Sequence, residues 1–147
     1  MERKKMPNYK ILRLDHYGVG LPNEEELEAC REFYRQLGFE VFAKDLDDGN
    51  RKVIWFAAPD GREFHIFVDL RAALPKEPGI VHGCWEVNDI GAAWETWQDL
   101  WRNGWSYNGK TYRMTKQPYK DSKLPGRKDR FHAWDPWFIH TEWYENE

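Results

Sequence analysis

The chain has 147 residues, of which 32% are charged and 16% aromatic, and a net charge of −3. That length suits one domain with a sizeable core, since about 70% of the unfolded surface is buried at this size. The mild acidity argues against a nucleic-acid binder, and no run of eighteen apolar residues is present to span a membrane. The basic start, MERKKMPNYK, has no apolar run behind it and does not read as a secretory signal. Cys30 and Cys84 have no metal-type spacing, so both are expected as reduced, buried small residues of a cytoplasmic protein.

In chain order, ILRLDHYGVG (11–20) predicts a strand that stops at Pro22. Asn23 is an N-cap, followed by three glutamates where a helix dipole favours negative charge. Leu27, Cys30, Tyr34 and Leu37 recur at helical spacing with Phe33 beside them, and Gly38 ends the helix. FEVFAKD, KVIWFAA and EFHIFVDL then predict three strands, the last two joined by a Pro59-Asp60-Gly61 turn.

The second half repeats this order. GIVHGCWEV (79–87) predicts a strand, and Asn88 or Asp89 caps a helix whose apolar face is Ile90, Ala93, Trp94, Trp97, Leu100 and Trp101. Gly104 ends that helix, and strands follow around KTYRMTK, RFHAW and FIHTEWYE. The interval from His16 to Asn23 equals that from His82 to Asp89, and His16 to Gly38 equals His82 to Gly104. The expected architecture is α+β: two β-α-β-β-β modules, about 10–70 and 80–147, joined by the linker 71–79. They are expected to pair into one domain with a cupped, half-barrel-like mixed sheet.

The repeat places His16 and His82 alike in the two first strands, and His65 and Glu142 alike in the two closing strands. Separate core histidines beside a surface glutamate are the ordinary explanation for each residue alone. Four ionisable groups converging in an interior are costly without a counter-charge, and a divalent cation removes that cost. Two histidines and a carboxylate suit non-haem Fe(II), and the same atoms can hold Zn, Ni, Co or Mn.

The motifs LDHYGVGLPN, EFYRQLGFEV, VHGCWEVNDI and DPWFIHTEWYE resemble the glyoxalase/bleomycin-resistance/dioxygenase, or vicinal oxygen chelate, superfamily over about residues 10–147. The resemblance implies that His16, His82 and Glu142 ligate a catalytic metal, with His65 as acid–base group or fourth ligand. Lyases and epimerases of the superfamily mostly carry Glu or Gln at the position of His65, whereas extradiol dioxygenases mostly carry His. Fe(II) dioxygenase chemistry on a small aromatic or vicinal-oxygen substrate is therefore the leading expectation. A Zn, Ni or Co lyase or isomerase, and a metal-free drug-binding protein, are the alternatives.

Two positions depart from the pattern. Phe138 replaces a turn glycine, and His132 stands where extradiol enzymes usually have a proton-donating tyrosine. Alternation puts Cys84 on the face of His82, as a pocket-lining group or a small buried one. It puts His140 on the face of Glu142, as ligand, substrate contact or rim residue. The segment 106–130 carries eight Lys and Arg against two Asp, with a long loop expected at KQPYKDSKLPGRK. It reads as a solvated basic loop, or as a lid whose Lys120, Lys123, Arg127 and Lys128 draw in an anionic aromatic substrate. A homodimer is plausible, since related folds pair modules within one chain or between two.

Overall fold

The computed structural model of the chain describes residues 8, 10, 16–42, 53–57, 63–68, 78–79, 82–122 and 125–147. Residues 16–19, 41–42, 53–57 and 63–68 are described by their backbone alone. Expected features at 11–15, at the Pro59-Asp60-Gly61 turn and over 71–77 lie outside the described residues. The chain divides into two compact units, Met1–Ala72 and Ala73–Glu147, and the division falls in the expected linker.

In unit 1, β1 (His16–Leu21) leads into α1 (Glu24–Gln36), and β2 (Glu40–Phe42), β3 (Val53–Ala57) and β4 (Glu63–Val68) follow. The sheet order is β1-β4-β3-β2, parallel at β1–β4 and antiparallel elsewhere. The Asn23 side chain accepts the Glu26 N–H at 2.9 Å, so it caps α1 as expected. Leu27, Cys30, Phe33 and Tyr34 of the predicted stripe are fully buried, while Leu37, the C-cap of α1, is half-buried.

Unit 2 opens with β5 (His82–Glu86) and α2 (Ile90–Asn103), capped by Asp89, whose carboxylate accepts the Ala92 N–H at 3.0 Å. A short hairpin follows, β6 (Trp105–Tyr107) and β7 (Lys110–Tyr112), whose turn residues Asn108 and Gly109 both have positive φ. Then come β8 (Lys116–Asp121), β9 (Arg127–Trp134) and β10 (His140–Asn146). The main sheet runs β5-β10-β9-β8, the same winding as in unit 1. The predicted α+β class and the doubled module are thus present, with the β6–β7 hairpin as an insertion in the second copy.

The segment expected as a long loop is strand instead. Residues 116–121 form β8 and β9 begins at Arg127, so most of the segment is strand. Pro118 obscured this in the sequence. It has no N–H to donate, but β8 is an edge strand, and the pairing to β9 skips between Lys116 and Tyr119 in a bulge that accommodates it.

One face of the unit 2 sheet is covered by α2. Trp97 is fully buried against Trp143, with ring centroids 6.0 Å apart, and Trp94 meets Phe131 edge-on at 5.3 Å. The tryptophan stripe of α2 is therefore packing, as its spacing suggests. The other face of the sheet carries His82, Arg130, His132, His140 and Glu142.

Candidate metal centre

Strand alternation sorts the side chains of unit 2. Phe131, Ala133, Thr141 and Trp143 go toward α2 or the interior, while His82, Cys84, Arg130, His132, Trp134, His140 and Glu142 share the opposite face. The register makes the repeat explicit. Glu142 lies opposite Cys84, two residues after His82, and His65 lies opposite Gly18, two residues after His16. His65 and Glu142 thus hold equivalent backbone positions, although the side chains of His16 and His65 lie outside what is described.

Within unit 2 the polar groups converge. His82 Nε2 is 3.9 Å from Glu142 Oε2. His132 Nε2 is 3.3 Å from Glu142 Oε1 and 2.9 Å from Asp121 Oδ2. His132 Nδ1 is 2.7 Å from His140 Nε2, and the His140 ring stacks on His82 with centroids 3.9 Å apart. His132, His140 and Glu142 are buried. His82, His132 and His140 bring one ligand atom each within 4.8 Å of one another, a cluster able to hold a metal ion.

Arg130 is the residue that organises the carboxylates, and sequence reasoning passed over it. Its guanidinium pairs with Glu142 Oε1, sits 3.1 Å from Asp121 and donates to the Ser122 carbonyl at 2.7 Å. Burial pushes the Glu142 carboxyl up, but hydrogen bonds from Cys84 and Arg130 and the charges of His132 and Arg130 outweigh it. The group therefore titrates below its ordinary range. The Ser122 N–H, then His132 and Arg130, hold Asp121 down as well.

The donor set fits a divalent cation. Two ligands bonded at about 2.0–2.2 Å can be at most roughly 4.3 Å apart, and His82 Nε2 and Glu142 Oε2 satisfy that limit. Arg130 occupies Oε1 and leaves Oε2 toward His82, an arrangement that orients a ligating carboxylate from behind. Asp121 accepts from His132 Nε2, which fixes that imidazole with its Nδ1 lone pair toward the cluster.

One expectation needs correction here. Cys84 is exposed, not buried, and its thiol is hydrogen-bonded to Glu142. In the basic segment, read either as a solvated loop or as a lid, the described cations have contacts of their own. Lys120 lies over Trp94 on the α2 face, Arg127 over Tyr144, and Lys128 pairs with Glu145 at 2.5 Å, while Lys123 lies outside the described residues.

The alternation of Arg130, His132 and Trp134 in RFHAW would have placed Arg130 on the site face. No comparable signal existed for Asp121. It shares that face with Lys116 and Tyr119 only because the β8 bulge adds a residue and breaks the period of two.

No family model matches the sequence, and no curated protein matches it. Solved structures do match. A protein of Bacillus anthracis described as glyoxalase-family is 26% identical, with a TM-score of 0.65 over 97% of this chain and 100% of that one. The chain has the glyoxalase/bleomycin-resistance/dioxygenase fold. A glyoxalase/dioxygenase from Nostoc punctiforme shares this vicinal oxygen chelate architecture at 15% identity and a TM-score of 0.65, over 100% and 99% of the two chains. So does a fosfomycin resistance protein of Listeria monocytogenes, solved with Mn(II) and a dihydroxypropylphosphonic acid, at 13% identity and 0.60, over 94% and 95%. A bleomycin-binding protein has the same fold. Among the described residues no helix is long and apolar enough to cross a membrane.

Proposed function

We propose that the protein is a mononuclear, divalent-metal-dependent enzyme, an extradiol-type dioxygenase acting on a small aromatic or vicinal-oxygen substrate. The observation that carries this reading is the facing pair of His82 Nε2 and Glu142 Oε2 on adjacent parallel strands, beside two more buried imidazoles. His82 and Glu142 would hold the cation, and the superfamily resemblance implies His16 as the third ligand. The metal, with Fe(II) favoured over Zn, Ni, Co or Mn, would supply Lewis acidity toward two substrate oxygens and, as iron, a centre for O₂ chemistry.

The remaining work belongs to the chain. Arg130 keeps Glu142 ionised and aimed. His132, steadied by Asp121, gives and takes a proton at Nδ1, the task that the superfamily resemblance assigns to a tyrosine at this place. His65 acts as the acid–base group of unit 1 or as a fourth ligand. His140 walls the site against water, and Cys84 steadies Glu142 from the rim. The proposal includes a homodimer and a cytoplasmic location.

A second reading has its own support. The Glu142 charge is already matched by Arg130, so this buried carboxylate does not need a metal to be stable, as in a metal-free binding protein. Metal analysis of protein purified without oxygen separates the cases. Iron together with O₂ uptake on catechols supports the dioxygenase. Tightly bound Zn or Ni without O₂ uptake supports a lyase or isomerase. Protein that neither carries nor takes up a divalent ion supports the binding protein. In the first two cases, His82→Ala and Glu142→Ala each lower metal affinity by 10-fold or more.

A further inference from the structure

The face that holds His82 and Glu142 also presents a second donor set. His82, His140 and His132 stand on the adjacent strands β5, β10 and β9 of unit 2. His140 lies opposite His82 by register, and His132 lies opposite Glu142, two residues further along β10. One ring nitrogen from each imidazole is within 4.8 Å of the other two. The ladder between β9 and β10 is regular here and shifts only beyond Tyr144. One sheet therefore brings the three imidazoles together, and all of them belong to unit 2.

Their surroundings keep them as donors. The Asp121 carboxylate, 2.9 Å from His132 Nε2, accepts that N–H and leaves the Nδ1 lone pair toward His140 Nε2, 2.7 Å away. Glu142 is held differently. Arg130 takes its Oε1, and its Oε2 is 3.9 Å from His82 Nε2, too far for a hydrogen bond. The His140 ring is fixed between His82 at 3.9 Å and Trp134 at 4.3 Å. His132 and His140 are buried while His82 is exposed, so a cation reaches the cluster past His82.

Donor chemistry and spacing name the cation. Imidazoles suit borderline ions rather than Mg, Ca or Mn, and nitrogen sites bind Cu(II) most tightly among the first-row divalent ions. Two nitrogens bonded at about 2.0 Å stand at most about 4 Å apart, so the 4.8 Å cluster closes with a movement of about 1 Å. We infer that His82, His132 and His140 form a Cu(II) site that shares only His82 with the centre proposed above. The two sites exclude one another. Cu(II) also takes the His132 Nδ1 lone pair that the proposed proton transfer uses, and so inhibits. The copper site stands independently of the metal-centre reading, and only its inhibitory effect rests on that reading.

The full chain, stripped of metal, is titrated with Cu(II), and pulsed EPR counts the imidazoles bound to it. Wild type is expected to take one Cu(II) on three imidazoles. His140→Gln, which stays polar at similar volume, should lower Cu(II) affinity by about 10-fold or more and leave two imidazoles, whereas His16→Gln changes neither. A wild type that binds no Cu(II), a count of two or fewer, or equal losses in His16→Gln and His140→Gln overturns the inference. The count on wild type decides even where a variant fails to fold. Mn(II), followed by its own EPR signal, judges the carboxylate-bearing centre separately. Mn(II) released as Cu(II) is added supports the shared His82, and Mn(II) retained beside Cu(II) overturns it. If wild type takes up no Mn(II), the centre of His82 and Glu142 fails while the copper site stands on its imidazole count.

Discussion

Arg130 shows how one residue sets the character of a site. Glu142 is buried with Arg130 on Oε1 and His82 facing Oε2, so removing the guanidinium leaves a carboxylate without its main counter-charge. Arg130→Met is expected to destabilise the fold by roughly 3 kcal/mol, read by urea unfolding at pH 7. The same pairing fixes the direction of acid sensitivity. A carboxyl held below its ordinary value stabilises the folded state above that value, and the contribution is lost as pH falls through the lowered one. Metal-free protein should therefore lose stability steeply below about pH 4, with a shallower loss in Glu142→Gln.

Cys84 is the counterpart. Although the residue is exposed overall, its sulfur is partly withdrawn from water, and that, followed by the hydrogen bond and charge of Glu142, pushes the thiol up to about 12. Despite its exposure, Cys84 should react slowly with iodoacetamide at pH 8. Alkylation should quicken by several-fold in Glu142→Gln, followed by mass spectrometry. Equal rates in the two proteins would contradict the assigned thiol–carboxylate contact.

At the scale of elements, the end of α2 is the most constrained junction. Gly104 has φ 73° and ψ −176°, a conformation that essentially only glycine adopts. A Cβ there would also stand 3.0 Å from the Tyr112 carbonyl oxygen. The glycine lets the helix stop and the β6–β7 hairpin fold back against its end. Gly104→Ala should cost about 2 kcal/mol or more, whereas Gly109→Ala, at φ 77° but in open space, should cost about 1 kcal/mol. Thermal melts of the pair measure the difference. Phe138 tells the opposite story. It occupies a left-handed position, φ 66°, where the superfamily turn carries glycine, so the turn survives the substitution. Asp135 holds it, accepting the N–H groups of Trp137 and Ile139 at 2.8 Å each.

For the whole molecule, a resident cation makes stability depend on metal. A ligand at 100 times its Kd contributes about 2.7 kcal/mol to the folded state. If His82 and Glu142 hold a metal, EDTA should lower the melting temperature of metal-loaded wild type by several degrees. It should leave Glu142→Ala unmoved; equal shifts in both would locate the cation elsewhere.

Much of this was legible along the chain. The caps Asn23 and Asp89, the buried stripe of α1 and the tryptophan stripe of α2 are local consequences of periodicity and end chemistry. The doubled order was legible too, and the strand registers place His65 and Glu142 at equivalent positions, as their places in the two closing strands suggested despite unequal distances from His16 and His82. Local rules also misled. Pro118 and a run of polar residues looked like a loop, because an edge strand's tolerance of proline depends on which neighbours it has.

What only the tertiary structure decided is who stands beside whom across the sheet. Sequence patterns assign each side chain a face, but pairing between strands distant along the chain assigns it partners. That pairing put Arg130 on Glu142, Asp121 on His132 and Lys116 on Trp134, and it drew Lys120 away to the helix side. Charge and periodicity are properties of a segment, whereas an electrostatic site belongs to several segments at once, and a single bulge in β8 was enough to redraw its membership.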